Sequence, residues 1–305
     1  MAKPSAVRIS IPATTSNLGP GFDVLGMALT LRNHLTVRPL PKGSADKIEI
    51  FGESAESLPR DKSNLVVRAF RKHRASPEGA FHFKMVNRIP LSRGLGSSAA
   101  ARLAGLLAAE AFCSAKPDFE SLISSAIAME GHPDNAVAAF FGGLAGAVTG
   151  NGGLKTFRLR TPKELSIVLL VPEFEVSTEK ARRIMPTRVS LKDAIYTSSR
   201  LAMLTAAFEQ KRFNLLSEAM QDALHQPYRA KLVAGFHETI SAALAVGALG
   251  AALSGSGSTI LAFARGETVA ARVAKAMAEA FSRKKNAGRI FFVKADASGA
   301  RITVK

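Results

Sequence analysis

Residues 90–100 read Pro-Leu-Ser-Arg-Gly-Leu-Gly-Ser-Ser-Ala-Ala, and these types in this order suit the cradling of a phosphate. Gly94 and Gly96 carry no Cβ and let the backbone come close to a ligand. Ser97, Ser98, Ala99 and Ala100 then open a predicted helix, whose first amides lack intrahelical acceptors and carry partial positive charge. The pattern is neither a Walker A motif, which needs a Lys after the second Gly, nor a GxGxxG dinucleotide fingerprint. A tight turn closed by a capping serine would use the same residues, so the loop alone leaves both readings open.

The loop needs a rigid element behind it, and 97–113 predicts one: Ala and Leu run throughout, with Leu103, Leu106, Leu107 and Ala111 spaced along one face. Further helices are predicted at 64–73, 119–129, 199–210, 215–224, 236–246 and 268–282. Residues 7–11 alternate apolar and polar and break at Pro12, predicting a strand that ends in the polar, Gly-rich stretch 12–23. Other strands are predicted at 35–39, 47–51, 80–85, 155–160, 165–171, 259–264 and 290–294. Gly150-Asn151-Gly152-Gly153 predicts a turn or hinge, with a domain junction near it.

At 305 residues the chain is long enough for two domains. Apolar residues make up 47% and charged ones 21%, and no window reaches eighteen uncharged apolar residues, which argues against disorder and a membrane bundle. The start, MAKPSAVRISIPATT, lacks an apolar signal core, and the one cysteine, Cys113, cannot form an internal disulfide; a cytoplasmic location is expected. A net charge of +17 raises the question of nucleic acid. The excess is spread over both halves, the longest basic run is Arg283-Lys284-Lys285, and no aromatic or zinc reading motif accompanies it, so no nucleic-acid or membrane partner is expected. A small anionic ligand accounts for the charge equally well.

The 90–100 loop resembles the signature of the GHMP kinases, and two more stretches stand in that family's order: PATTSNLGPGFD at 12–23 and GAALSGSGST at 250–259. Within the family the first stretch resembles the homoserine kinase branch, as do Glu130-Gly131-His132-Pro133-Asp134-Asn135, Ser177-Thr178-Glu179-Lys180-Ala181-Arg182 and Asp222-Ala223-Leu224-His225-Gln226-Pro227-Tyr228-Arg229. Departures are Thr15-Ser16, Ser258 and Ala223, none at a position to which a chemical role is given. The resemblance implies an α+β, two-domain GHMP kinase fold: a ribosomal protein S5 domain 2-like unit over 1–155 with the ATP-binding loop, and a ferredoxin-like unit over 156–305. It also implies phosphorylation of the L-homoserine hydroxyl by ATP with Mg2+, and a homodimer. Another small hydroxyl substrate, or a non-catalytic regulatory member of the fold, are the alternatives.

Residue by residue, the resemblance places ATP on Asn64, Pro90, Arg93, Gly94, Leu95, Gly96, Ser97, Ser98, Ala99 and Ala100, and the metal on Ser98 and Glu130. Arg182 and Arg229 would hold the substrate carboxylate with bidentate forks, Arg183 being the rival of Arg182. Asp23 would accept from the ammonium, with Asn17 beside it. His132 and Asn135 would contact the substrate side chain or its hydroxyl, and Ser98, Glu130, His132 and Asn135 form the expected catalytic set. For a proton acceptor, His132, Asp134 and no protein base at all stay open.

Overall fold

A computed structural model describes residues 4–73, 75, 77–113, 117–150 and 153–305. The first sheet has seven strands: β1 (Val7–Asn17), β2 (Gly21–Pro39), β3 (Lys47–Gly52), β4 (Phe81–Asn87), β5 (Leu144–Gly150), β6 (Gly153–Leu159) and, from the far end of the chain, β11 (Arg301–Val304). They run in the order β11-β1-β2-β4-β3, with β5 on β2 and β6 on β5; β3 and β4 are parallel and the other pairs antiparallel. The second sheet, in the order β10-β7-β9-β8, is built from β7 (Leu165–Pro172), β8 (Gly250–Leu253), β9 (Ile260–Arg265) and β10 (Gly288–Val293).

Helices α1 (Leu65–Lys72), α2 (Ser97–Cys113), α3 (Phe119–Glu130) and α4 (Asp134–Phe141) accompany the first sheet. The rest are α5 (Thr178–Arg183), α6 (Leu191–Glu209), α7 (Leu216–Ala219), α8 (Gln226–Arg229), α9 (Phe236–Ala245) and α10 (Glu267–Ser282). Gly105 lets α2 press against α1, since a Cβ there would lie 2.3 Å from the Val66 carbonyl oxygen. β7 alternates in the manner of a strand buried on both faces. Ile167, Leu169 and Val171 join Leu204, Phe208 and the first sheet's core, while Val168 and Leu170 pack with Val273, Met277 and Phe281 of α10. One core therefore continues from the first sheet onto one face of the second.

Several elements differ from the sequence expectation. β1 does not stop at Pro12: the strand takes up the proline with a register shift between Pro12 and Ala13 and runs on to Asn17. The stretch 12–23 is thus two strand ends joined by a tight turn. The expected helix 215–224 is only α7, preceded by a 3-10 turn, because Asp222 takes the amides of Leu224, His225 and Gln226 and turns the chain. α6 begins eight residues before its expected start at 199, where Ser190 caps it through the Asp193 amide. α4, α5, β5 and β11 were not expected at all. Of the expected turn at 150–153, Gly150 and Gly153 face each other across the β5–β6 pair, and 151–152 lie outside the described residues. No described helix is long and apolar enough to cross a membrane.

Candidate active site

The cleft lies where the ends of β1 and β2, the 90–100 loop, α5 and the β8–β9 turn meet, and has a volume of about 180 Å³. On one wall is the glycine loop. Gly94 and Gly96 both have positive φ, and a Cβ would sit 2.1 Å from the Ser254 carbonyl oxygen at the first and 1.9 Å from Thr14 Oγ1 at the second. Both positions therefore exclude a side chain by space as well as by dihedral. The loop is pinned from both sides: Thr14 N donates to the Leu95 carbonyl at 3.1 Å, Thr259 N to that of Arg93 at 3.1 Å, and Ser254 Oγ to that of Gly94 at 2.6 Å. Pro90, Leu95, Ala99 and Ala100 are buried, so they hold the loop against the core and leave backbone toward the cleft. Ala100 N bonds Gly96 O at 2.9 Å, which leaves the amides of Ser97, Ser98 and Ala99 at the helix mouth. Arg93 has a task other than touching phosphate: its Nε donates to Pro172 O at 2.7 Å and its Nη1 to Leu91 O at 3.0 Å, tying the loop to the end of β7.

Ser98 and Glu130 come together from α2 and the last residue of α3, with Ser98 Oγ donating to Glu130 Oε2 at 2.9 Å. Arg102, one turn after Ser98, reaches both of these atoms. A hydroxyl and a carboxylate side by side at the mouth of the glycine loop are hard oxygen donors of the kind Mg2+ takes alongside phosphate oxygens and water.

α4 starts at Asp134 and supplies the floor. His132 Nδ1 lies 2.7 Å from Asp134 Oδ1, which also accepts from Asn135 N at 2.7 Å and Asn135 Nδ2 at 3.0 Å. Thr14 Oγ1 donates to Asn135 Oδ1 at 2.8 Å, and Asn135 Nδ2 also donates to Ser16 Oγ at 3.2 Å. Burial works against charging His132, but the hydrogen bond and charge of Asp134, helped by Glu130, outweigh it and raise its pKa. Burial likewise opposes ionisation of Asp134, and the bond and charge of His132 with the Asn135 amide still hold its pKa below the ordinary carboxylate value.

The opposite wall is charged. Arg182 grips Asp23 with two bonds, Nη2 to Oδ1 at 2.8 Å and Nη1 to Oδ2 at 3.1 Å. Arg183, by contrast, points outward to Glu179 and is 75% exposed, so of the two rivals Arg182 is the one at the cleft. Arg229 is buried, donates Nη1 to Gly255 O at 3.0 Å, and stands 4.9 Å from the Phe22 ring centroid. Burial, with the nearby charge of Arg182, lowers its pKa to about 10, so it stays charged at neutral pH. Asn17 donates Nδ2 to Gly255 O at 3.0 Å and accepts the Asp23 amide at 3.1 Å. Asn17, Leu18 and Asp23 all have positive φ, which is strain concentrated at the rim of the cleft.

Phe22 and His225 were not expected here, and each supports this wall. His225 stacks on Phe22 with centroids 5.0 Å apart, and its Nε2 donates to Gly19 O at 2.7 Å. Burial lowers its pKa and keeps it neutral. Gln226 accepts the Leu253 amide at 2.9 Å, so the 222–229 segment ties the tip of the β1–β2 turn to β8 and carries Arg229 between them. Ser16 and Arg102 were also missed; Ser16 gains its meaning from Asn135, 119 residues away, and Arg102 from Glu130, 28 residues away, together with Ser98 on its own helix.

A second cavity opens behind the loop, sharing Ser92, Ser97 and Ser98 with the cleft and lined further by Leu58, Pro59, Val66, Met85 and Leu91. Asn64 lies on its wall as the cap of α1, accepting the Val66 amide at 3.0 Å and donating to Pro59 O at 2.9 Å. A flat apolar group next to the phosphate cradle would fit there.

Residues 64–143 match the GHMP kinases N terminal domain and residues 204–283 the GHMP kinases C terminal. The homoserine kinase of Carboxydothermus hydrogenoformans is 41% identical over 263 residues, 85% of this chain and 85% of its own. That of Desulfitobacterium hafniense is 37% identical over 303 residues, 97% of this chain and 99% of its own. Among solved structures, homoserine kinase from Cytophaga hutchinsonii matches with a TM-score of 0.88 and 27% identity over 99% of both chains. L. major mevalonate kinase in complex with R-mevalonate matches with a TM-score of 0.68 at 16% identity over 98% of this chain and 97% of its own, a likeness of fold alone.

Proposed function

The chain belongs to the GHMP kinases, among the homoserine kinases, and from that membership we propose that its cleft moves the γ-phosphoryl group of ATP to the side-chain hydroxyl of L-homoserine, a step toward threonine. It is an ATP-dependent kinase with the two-domain α+β architecture of that family. The observation that carries the substrate reading is one cleft holding a phosphate cradle on one wall and, on the other, an acid and two arginines matched to a zwitterion.

Phosphoryl transfer asks for positioning and for neutralisation of charge. The amides of Ser97, Ser98 and Ala99 point partial positive charge at the phosphates, and the apolar cavity beside Asn64 takes the base. Ser98 and Glu130 would hold Mg2+, which would neutralise part of the charge of the phosphates. Asp23 accepts from the substrate ammonium, while Arg182 and Arg229 take its carboxylate; the existing Asp23–Arg182 pair opens to admit opposite charges of the same spacing. His132, with Nδ1 committed to Asp134, and Asn135 orient the hydroxyl, whose proton passes to the phosphoryl oxygens as the new O–P bond forms and the bond to the β-phosphate breaks. We further take 1–155 and 156–305 as the two domains, with the end of β6 and all of β11 lent back to the first sheet, and a cytoplasmic homodimer as the working form.

ATP consumption with Mg2+ across L-homoserine, D-homoserine, L-serine, mevalonate and galactose tests the reading. Turnover confined to L-homoserine is the expected result; turnover on another compound would discard the substrate assignment and keep the kinase.

A further inference from the structure

Arg102 has no part in the roles given above, yet its guanidinium reaches both Ser98 Oγ and Glu130 Oε2. Its position explains the reach: residues four apart on a helix share a face, which puts Arg102 directly behind Ser98 on α2. Its side chain is 20% exposed and that of Glu130 11%, so the pair sits in the wall and not on open surface. A carboxylate this far out of water needs a positive partner, and Arg102 is the side chain that supplies it. The same Oε2 accepts from Ser98. One oxygen therefore serves the hydroxyl and the guanidinium together, and it belongs to the carboxylate assigned to the divalent ion.

We propose that Arg102 is a resident counter-cation of the phosphoryl-transfer centre. It fixes the Ser98–Glu130 pair before nucleotide arrives and competes with the divalent ion for Glu130. The inference rests on the assignment of Ser98 and Glu130 as the metal-holding pair. When nucleotide and metal enter, Glu130 turns to the ion, and the released guanidinium faces the added negative charge of the phosphates. Arg102 thus supplies part of the positive charge that the metal would otherwise supply alone. It is a positioning residue, and its signature is thermodynamic: it reduces how much the metal improves nucleotide binding.

The test is calorimetric titration of β,γ-imido-ATP, with and without saturating Mg2+, into the wild-type protein, Arg102→Met, Arg102→Gln and Glu130→Gln, with thermal unfolding of each to verify the fold. The ratio of the two dissociation constants is the metal's advantage. In both neutral Arg102 variants that ratio is expected to rise about fivefold to tenfold, as loss of a nearby charge weakens metal-free binding and frees Glu130 for the ion. In Glu130→Gln it is expected to fall. An unchanged or smaller ratio in a folded Arg102 variant overturns the inference and leaves the metal assignment standing. An unchanged ratio in Glu130→Gln overturns the metal assignment and this inference with it.

Discussion

On its nucleotide side the cleft presents Gly94, Gly96 and the first amides of α2, all from one run of eleven residues, whereas on its acceptor side it presents Asp23, Arg182 and Arg229, drawn from three distant segments. The first wall is backbone wedged against backbone, with Thr14, Ser254 and Thr259 as the wedges. The second is made of charged side chains, of which Asp23 and Arg182 neutralise each other until a ligand of matching charge replaces those partners. A wall of the first kind has no slack, and one added carbon disrupts it. A wall of the second kind tolerates change in shape but not in charge. Nucleotide binding and acceptor binding should therefore fail in separable ways.

The sharpest way to break this contrast is Gly96→Val. Its Cβ would fall on Thr14 Oγ1, and a β-branched residue would have to adopt positive φ, so a loss of kcat/KM beyond about 100-fold and a lower unfolding temperature are expected. Steady-state kinetics beside thermal denaturation would show it; near-normal activity would mean the loop is not wedged. Next in size is Ser98→Ala, expected to lower kcat by about 100-fold with little change in KM for homoserine, because in the proposed site the hydroxyl, beside Glu130, holds the metal for the transferring group. Arg229→Lys should do the reverse, raising KM for homoserine about tenfold while calorimetric affinity for the ATP analogue stays within about twofold. Similar kinetic profiles for these two variants would erase the distinction between the walls.

The smallest effect is one of pH. His132 is held above its ordinary pKa, so its bond to Asp134 stabilises the fold fully below about pH 6.5, the ordinary value, and the contribution is lost as pH rises through the raised value. Asp134, held below its ordinary value, gives up its share only when acid reaches the depressed value. Urea unfolding of wild type and His132→Gln from pH 6 to 9 should show a stability gap that narrows toward alkaline pH. A gap that is flat across that range would remove the charged pair from the account.

The same contrast explains what could be read in advance. The glycine loop and α2 are legible because glycine placement, serine and an Ala/Leu helix are local signals that tertiary packing reinforces. Asn17, Asp23, Arg182 and Arg229 were reached only through resemblance, since nothing near Arg182 in the chain distinguishes it from Arg183 next to it; the difference is which face of a six-residue helix meets β2. Arg102 carries no signal, because an arginine in a helix acquires its role from Glu130, 28 residues away; Phe22 and His225 stand in stretches that carry the resemblance, but their stacking joins segments about 200 residues apart. The length of β1 escaped for a different reason: Pro12 normally ends a strand, and here a register shift absorbs it.

The pairing of β11 with β1 has a consequence for how the molecule is made. Val7 faces Val304 and Ser10 faces Arg301, so one border of the first sheet is closed by residues made only after all the other strands of that sheet. Until 301–304 are made that border carries unsatisfied amides and carbonyls, an open seam on the strand whose far end bears Thr14, Ser16 and Asn17. A nascent chain stalled before residue 301 would hold its phosphate loop while its seam stayed open to other nascent chains. β11 is thus the seal that separates a folded enzyme from a sticky intermediate.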